Sequence, residues 1–465
     1  MRNVRRLIAG ASATAAALSV VGFTATAQAQ PTVLLHHDPT VPLGVETAVN
    51  LPACPAGNTV SSVTPAPPGS VNLVITGNKS KLAGDWLSTG STTFTVHCSG
   101  GSTPTSTITV SAAPGLHDAT GVGSDTIQNV LDQFSGDYNA KVSSSATHLW
   151  SWDATNPNTG AIGDSIAVKT GCSAIARPNG SSAGISALTS SQVVSGIKCI
   201  NFARSSRSRS PSDPPYAAGG IAFVNLAGDA VTWSAQATTN APATLTTAQL
   251  AAIYNCVDTN WNQVGGKNAP IHAFIPQSGS GTRAFFLSAI GVATPGACVS
   301  DAGGTLEENE GVNPVLNDPN AIFPFSIGKY IAERFHSATC FNSSCTPNGS
   351  GLRCTPSAHQ NLFGCNTHGT LVLKQINGVA PTTGKGLGTV INSAFPATFQ
   401  RTVFEVVPWD PSTADHIPGS EAGAPGGVNL EPIFGSSGFV CTSATAKADL
   451  KNYGFLTIPT CGITS

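Results

Sequence analysis

Gly121-Val122-Gly123-Ser124-Asp125-Thr126 decides the fold together with the apolar residues after it: Ile127, Val130, Leu131 and Phe134 recur at i, i+3, i+4 and i+7. That spacing lays four apolar side chains on one face of a helix. The same design returns in Asn179-Gly180-Ser181-Ser182-Ala183-Gly184 and in Ser278-Gly279-Ser280-Gly281-Thr282-Arg283, each ahead of a helical pattern. Glycine lets a backbone approach a ligand closely, hydroxyls donate hydrogen bonds, and a helix N-terminus offers unpaired N–H groups with positive potential. An anion is the natural guest. Ser and Thr are also the favoured N-caps, so one such loop says little; three in one chain point to convergence on one ligand.

Outward from these loops, strand-like runs alternate with helical ones beyond Leu116, an α/β pattern. Thr246 and Gln249 have the spacing of a capping box ahead of a stripe of Leu250, Ile253 and Tyr254. A third helix is expected after Thr282, carrying Phe285, Phe286, Ala289 and Ile290, and a fourth over Ser443 to Tyr453, closed by Gly454. Residues 32–113 read differently. Short alternating runs such as Thr93-Phe94-Thr95-Val96-His97-Cys98 and Thr107-Ile108-Thr109-Val110 lie between Pro, Gly, Asn and Ser clusters. Antiparallel strands are expected there, in a small all-β, immunoglobulin-like sandwich with Trp86 between Cys54 and Cys98.

The chain opens with Arg2, Arg5 and Arg6, an apolar run from Leu7 to Phe23, and Ala27-Gln28-Ala29, the outline of a signal peptide cleaved near Ala29. No later stretch reaches the roughly 18 apolar residues of a membrane span. A secreted protein is expected, with no lipid anchor because the first cysteine is Cys54. Twelve cysteines suit an oxidising compartment, and their even number permits six disulfides. Connectivity does not follow from sequence alone, but local spacing favours Cys54 with Cys98, Cys172 with Cys199, Cys256 with Cys298, and Cys441 with Cys461. Cys340, Cys345, Cys354 and Cys365 then pair among themselves; His359 and His368 nearby raise a zinc site, which the spacing and the compartment disfavour. A net charge of −2 and a charged fraction of 10% provide no basic stripe for nucleic acid.

The order and spacing of the three loops, with Asn201-Phe202-Ala203-Arg204-Ser205-Ser206-Arg207, Asn260-Trp261-Asn262 and Gly454-Phe455-Leu456-Thr457-Ile458-Pro459, resemble the phosphate-binding (PstS-like) substrate-binding proteins of ABC transporters, over roughly residues 120 to 460. The resemblance implies a two-lobed type 2 periplasmic-binding-protein fold that captures an oxyanion in the cleft and performs no chemistry. It places lobe I at 116–224 and 405–465, and lobe II at 225–404 with a stapled insertion at about 340–388, preceded by the β module at 30–113. Carried over residue by residue, the oxyanion set is Ser124, Asp125, Thr126, Ser181, Ser182, Arg204, Ser206, Arg207, Ser280, Gly281, Thr282 and Arg283.

Two departures from that family stand out: Pro276 occupies the place of its arginine, and Ser206 the place of its aspartate. Neutralising charge is then expected from Arg204, Arg207 or Arg283, and the acid that tells phosphate from sulfate from Asp125, with Asp213 and Asp229 behind it. The resemblance implies inorganic phosphate or a related oxyanion as partner, an ABC permease, no cofactor, no metal and a monomer. Competing readings are a surface or matrix adhesion module, a weak phosphatase, and a hydrolase suggested by the G-x-S-x-G match at Gly180 to Gly184.

Overall fold

Ile127, Val130, Leu131 and Phe134 are all buried, on the helix Gln128–Asn139 and the residue before it. The other helical stripes hold as well. Thr246 closes a capping box with Gln249 at the start of Thr247–Tyr254, and Leu250, Ile253 and Tyr254 face the core. Gly281–Ala289 is capped by Ser280, two residues earlier than the sequence suggests. Ala444–Asn452 is capped by Ser443, and Gly454 ends it at φ +77°. The structure, a computed structural model, describes residues 39–143, 145–157, 161–190, 196–336, 345–348, 351–354, 368–419 and 425–465. The signal segment, Cys340 and Cys365 lie outside the described residues, as do the side chains of Cys345 and Cys354. The other four expected disulfides are present: Cys54–Cys98, Cys172–Cys199, Cys256–Cys298 and Cys441–Cys461.

One mixed sheet organises the α/β part. Its strands run in the order Val299–Ser300, His272–Phe274, Ala321–Ser326, Ile221–Gln236, Gln400–Pro408, Phe202–Ser205, Ala119–Gly123 and Leu149–Ser151. The three strands at each end pair in parallel, as strands joined through helices do. The two between them, Ile221–Gln236 and Gln400–Pro408, pair antiparallel over nearly the whole length of the shorter one, with a bulge between Asn225 and Ala227. Two parallel α/β halves are thus tied by two long strands common to both. Ligand loops in such sheets lie beyond the carboxyl ends of the parallel strands. Both Ser124–Thr126, after Ala119–Gly123, and Pro276–Thr282, after His272–Phe274, meet that rule.

Residues 40–111 form a four-stranded sheet (Thr40–Pro42, Thr105–Ser111, Gly90–Cys98, Val60–Thr64) and a three-stranded one (Thr47–Asn50, Lys79–Gly84, Val71–Thr76). Alternating side chains point inward, Phe94, Val96 and Ile108 among them, and Trp86 packs edge-on against Phe94 with centroids 6.1 Å apart. Their core runs on without a break into Val122, Trp152, Ile185 and Phe223 of the α/β part.

At that junction lie three buried acids. Glu46 precedes Thr47–Asn50, Asp132 is on the helix Gln128–Asn139, and Asp153 comes just after Leu149–Ser151; their carboxyl oxygens lie within 4.8 Å of one another. Burial, and then the Asp153 charge beside them, push the Glu46 and Asp132 carboxyls well above the ordinary range. A carboxyl whose pKa rises on folding contributes stability that is complete below its unfolded pKa and lost as pH climbs towards the folded value. We therefore expect thermal stability to fall as pH rises from 5 to 8. Asp132→Asn should remove part of that fall, at on the order of 2–4 °C for each kcal/mol recovered. Parallel melting curves for variant and parent across that range would contradict the assignment.

Candidate functional site

The hydroxyls of the first loop do not serve their own helix: Gln128–Asn139 starts without a side-chain cap. They turn instead to a carboxylate from the other half of the sheet. Ser124 Oγ donates to Glu308 Oε1 at 2.6 Å, and Thr126 Oγ1 donates to the same oxygen at 3.2 Å. Glu308 Oε2 accepts from the Thr282 backbone N–H at 3.0 Å and from the Ser280 hydroxyl. Ser280 acts twice, since its oxygen also accepts from the Arg283 N–H as the N-cap. Thr282 Oγ1 lies 3.3 Å from Thr126 Oγ1, closing the ring between the halves. All five residues are at most 1% exposed.

Behind this ring, the Ser206 hydroxyl lies 3.0 Å from Ser124 Oγ and 3.3 Å from Ser181 Oγ, and the Ser206 N–H donates to Ser181 Oγ at 3.0 Å. Gly281 is required here: a Cβ would stand 2.3 Å from both the Ser181 and the Ser206 hydroxyl oxygens. Asp125 is also adjacent. Burial, and next the Glu308 charge, raise its carboxyl well above the usual range, so it keeps its proton and donates to Glu308. Glu308 goes the other way. Hydrogen bonds from Asp125, Ser124, Ser280 and the Thr282 N–H together outweigh its burial and bring its pKa down to about 2. A carboxylate with several donors aimed at it holds its charge in a dry place.

The three expected arginines are directed elsewhere. Arg204 is fully buried and donates to the carbonyls of Ser124 (2.8 Å) and Gly123 (3.2 Å) and to Ser151 Oγ (2.6 Å), so it shapes the first loop from behind. Its charge faces Asp132 and Asp153, compensating the acid cluster that could otherwise hold a hard cation. Arg207 forms a forked pair with Asp213 at 2.7 and 2.9 Å and donates to Ser182 Oγ at 3.3 Å. Arg283 donates to the Pro276 carbonyl at 2.9 Å and to Asp301 at 3.2 Å.

The cation at the ring is Arg401, which sequence reasoning missed. It donates to Thr282 Oγ1 at 3.1 Å and to the Ser206 carbonyl at 2.8 Å, and is held by Asp229 at 2.8 and 3.0 Å. Asp229 in turn accepts from Ser326 Oγ and the Gly328 N–H. Its signal was a cation near the start of the strand Gln400–Pro408, with Asp229, the one charged residue of Ile221–Gln236, directly opposite in register. Glu308 carried no such signal.

Removing one partner of a buried ion pair leaves the other uncompensated, at about 3–5 kcal/mol. Arg401→Met should therefore destabilise the chain by about that much in urea unfolding, and adding Asp229→Asn should recover much of the loss. Equal midpoints for Arg401→Met and the parent would show that the pair does not carry the ring.

No curated protein matches this chain in sequence. Among solved structures it is similar to an ABC-type phosphate transport receptor from Vibrio cholerae, at 18% identity and a TM-score of 0.41, covering 73% of this chain and 100% of that one. It is similar also to a putative phosphate ABC transporter substrate-binding protein with bound phosphate from Clostridium perfringens, at 15% identity and a TM-score of 0.41, covering 74% and 100%. PstS from Borrelia burgdorferi gives 17% and 0.35, covering 74% and 99%. The PBP superfamily domain of the PBP-like 2 type matches residues 109–430, more than half of the sequence, and the chain belongs to that family.

Proposed function

We propose that the chain is an exported solute-binding protein that captures inorganic phosphate, or a closely similar oxyanion, between its two α/β halves and leaves it chemically unchanged. One observation carries this reading: hydroxyl and backbone donors from opposite halves, Ser124 and Thr126 on one and Ser280 and Thr282 on the other, converge on a single anionic group. Charge-assisted hydrogen bonds of this kind contribute on the order of 1.5–3 kcal/mol each before desolvation. Four together reach micromolar affinity without a metal. Family membership and the sequence resemblance support the same reading, and Arg401 supplies positive charge that Pro276 cannot.

The halves would close about the bulge at Asn225–Ala227 and the facing Val403–Phe404, where the two shared strands depart from regular pairing. We infer delivery to an ABC permease. No helix among the described residues is long and apolar enough to cross a membrane. Turnover of a chromogenic phosphate ester would support the phosphatase reading in place of this one.

Phosphate near neutral pH keeps a proton to donate and sulfate does not, so a carboxylate facing the anion favours phosphate. Asp125 lies beside the ring; once Glu308 leaves, one of the causes that hold its proton goes with it, and its carboxylate can accept the hydrogen bond that phosphate offers. Calorimetric titration should show one site with phosphate bound well above sulfate, and Asp125→Asn should lower that ratio by about tenfold, the loss of one charge-assisted bond. The ratio is the informative quantity because any cost of opening the site is common to both anions. Equal affinities in the parent, unchanged by Asp125→Asn, would reduce the site to a generic oxyanion receptor.

A further inference from the structure

The donors that an oxyanion would need are already engaged. Glu308 Oε1 takes the Ser124 and Thr126 hydroxyls, and Oε2 takes the Ser280 hydroxyl and the Thr282 N–H. A carboxylate has about four lone-pair positions, and these four donors, with the Asp125 carboxyl beside them, saturate it. Its neighbours hold it there. Glu307 Oε2 accepts from Asn179 Nδ2 at 2.8 Å, beside the second glycine loop. Asn309 Nδ2 donates to Thr126 Oγ1 at 2.9 Å and to Asp125 at 3.2 Å, while its Oδ1 accepts from the Ser326 N–H at 2.9 Å. Asn309 adopts φ +60°, a left-handed turn that asparagine tolerates better than most residues and that seats three successive side chains against three different loops.

We propose that Glu308 is the resident occupant of the oxyanion seat, an internal anion that closes the two halves in the absence of solute and must leave before phosphate enters. This rests on the oxyanion-binding reading and adds to it a residue that sets affinity. A solute competing with a tethered carboxylate binds with its intrinsic dissociation constant divided by the fraction of molecules whose seat is open. The competition also sets discrimination. A solute must outbid the carboxylate, so one with more acceptor oxygens than two, and with a proton for Asp125 once that acid has ionised, displaces it best. The seat therefore favours a tetrahedral oxyanion over a simple monocarboxylate.

The test is calorimetric titration of phosphate into the full chain and into Glu308→Ala, with circular dichroism confirming that both are folded. Glu308→Gln, which keeps the side chain's size and removes its charge, stands in if the alanine variant does not fold. The proposal expects the variant to bind phosphate about tenfold more tightly or better, the gain from an opened seat. Phosphate binding to the parent that is as tight as to the variants, or tighter, would overturn the proposal while leaving the oxyanion reading intact. Failure of parent and variants alike to bind phosphate, sulfate or arsenate would remove the oxyanion reading, and this proposal with it.

Discussion

Dry donors need an anion. Ser124, Thr126, Ser280 and the Thr282 N–H are buried at the carboxyl ends of strands from two different halves of one sheet, and a buried donor left unpaired costs more than most single contacts contribute. Negative charge at the point where they meet is therefore a condition for the halves to close. Glu308 meets that condition in the structure, and the donors around its carboxyl lower its pKa, so the ring favours charge over a neutral acid. Much of the surrounding architecture serves to hold this ring in register: the bare Gly281, the serine pair Ser181 and Ser206, and the Arg401–Asp229 pair fixed between the shared strands.

The two long strands supply the other half of the mechanism. Ile221–Gln236 and Gln400–Pro408 are buried almost throughout and continuous across both halves, so the proposed closure would be absorbed where their pairing is irregular. On the proposed function, closure and ligand capture would be one event, because the ring joins the loops after Ala119–Gly123 and His272–Phe274 around an anion. A solute and Glu308 would then compete as two occupants of one seat.

The parts legible in the sequence were those governed by local physics. Local pattern located the helices Gln128–Asn139, Thr247–Tyr254 and Ala444–Asn452, and Gly281–Ala289 with its start two residues late; the Thr246–Gln249 capping box and the cysteine spacings behaved as short-range rules suggest. Ser124, Thr126, Ser280 and Thr282 were also legible, because glycine beside a hydroxyl ahead of a helix is a local signature. The hidden parts depended on register and chain reversal. Arg401 reaches Thr282 only because its strand pairs with Asp229 172 residues away. The arginines flagged for their closeness in sequence to the loops instead satisfy carbonyls and Asp213 or Asp301. Glu308 lies 184 residues from Ser124, in a loop with no periodic pattern, so nothing in its neighbourhood announces its contacts.

The most direct measurement is a crystal structure of the full chain grown with saturating phosphate. The account predicts phosphate bound by the Ser124, Thr126 and Ser280 hydroxyls and the Thr282 N–H, with the Glu308 carboxylate withdrawn from all four. Glu308 still engaged with the four donors, and phosphate absent from the seat or bound elsewhere, would contradict it.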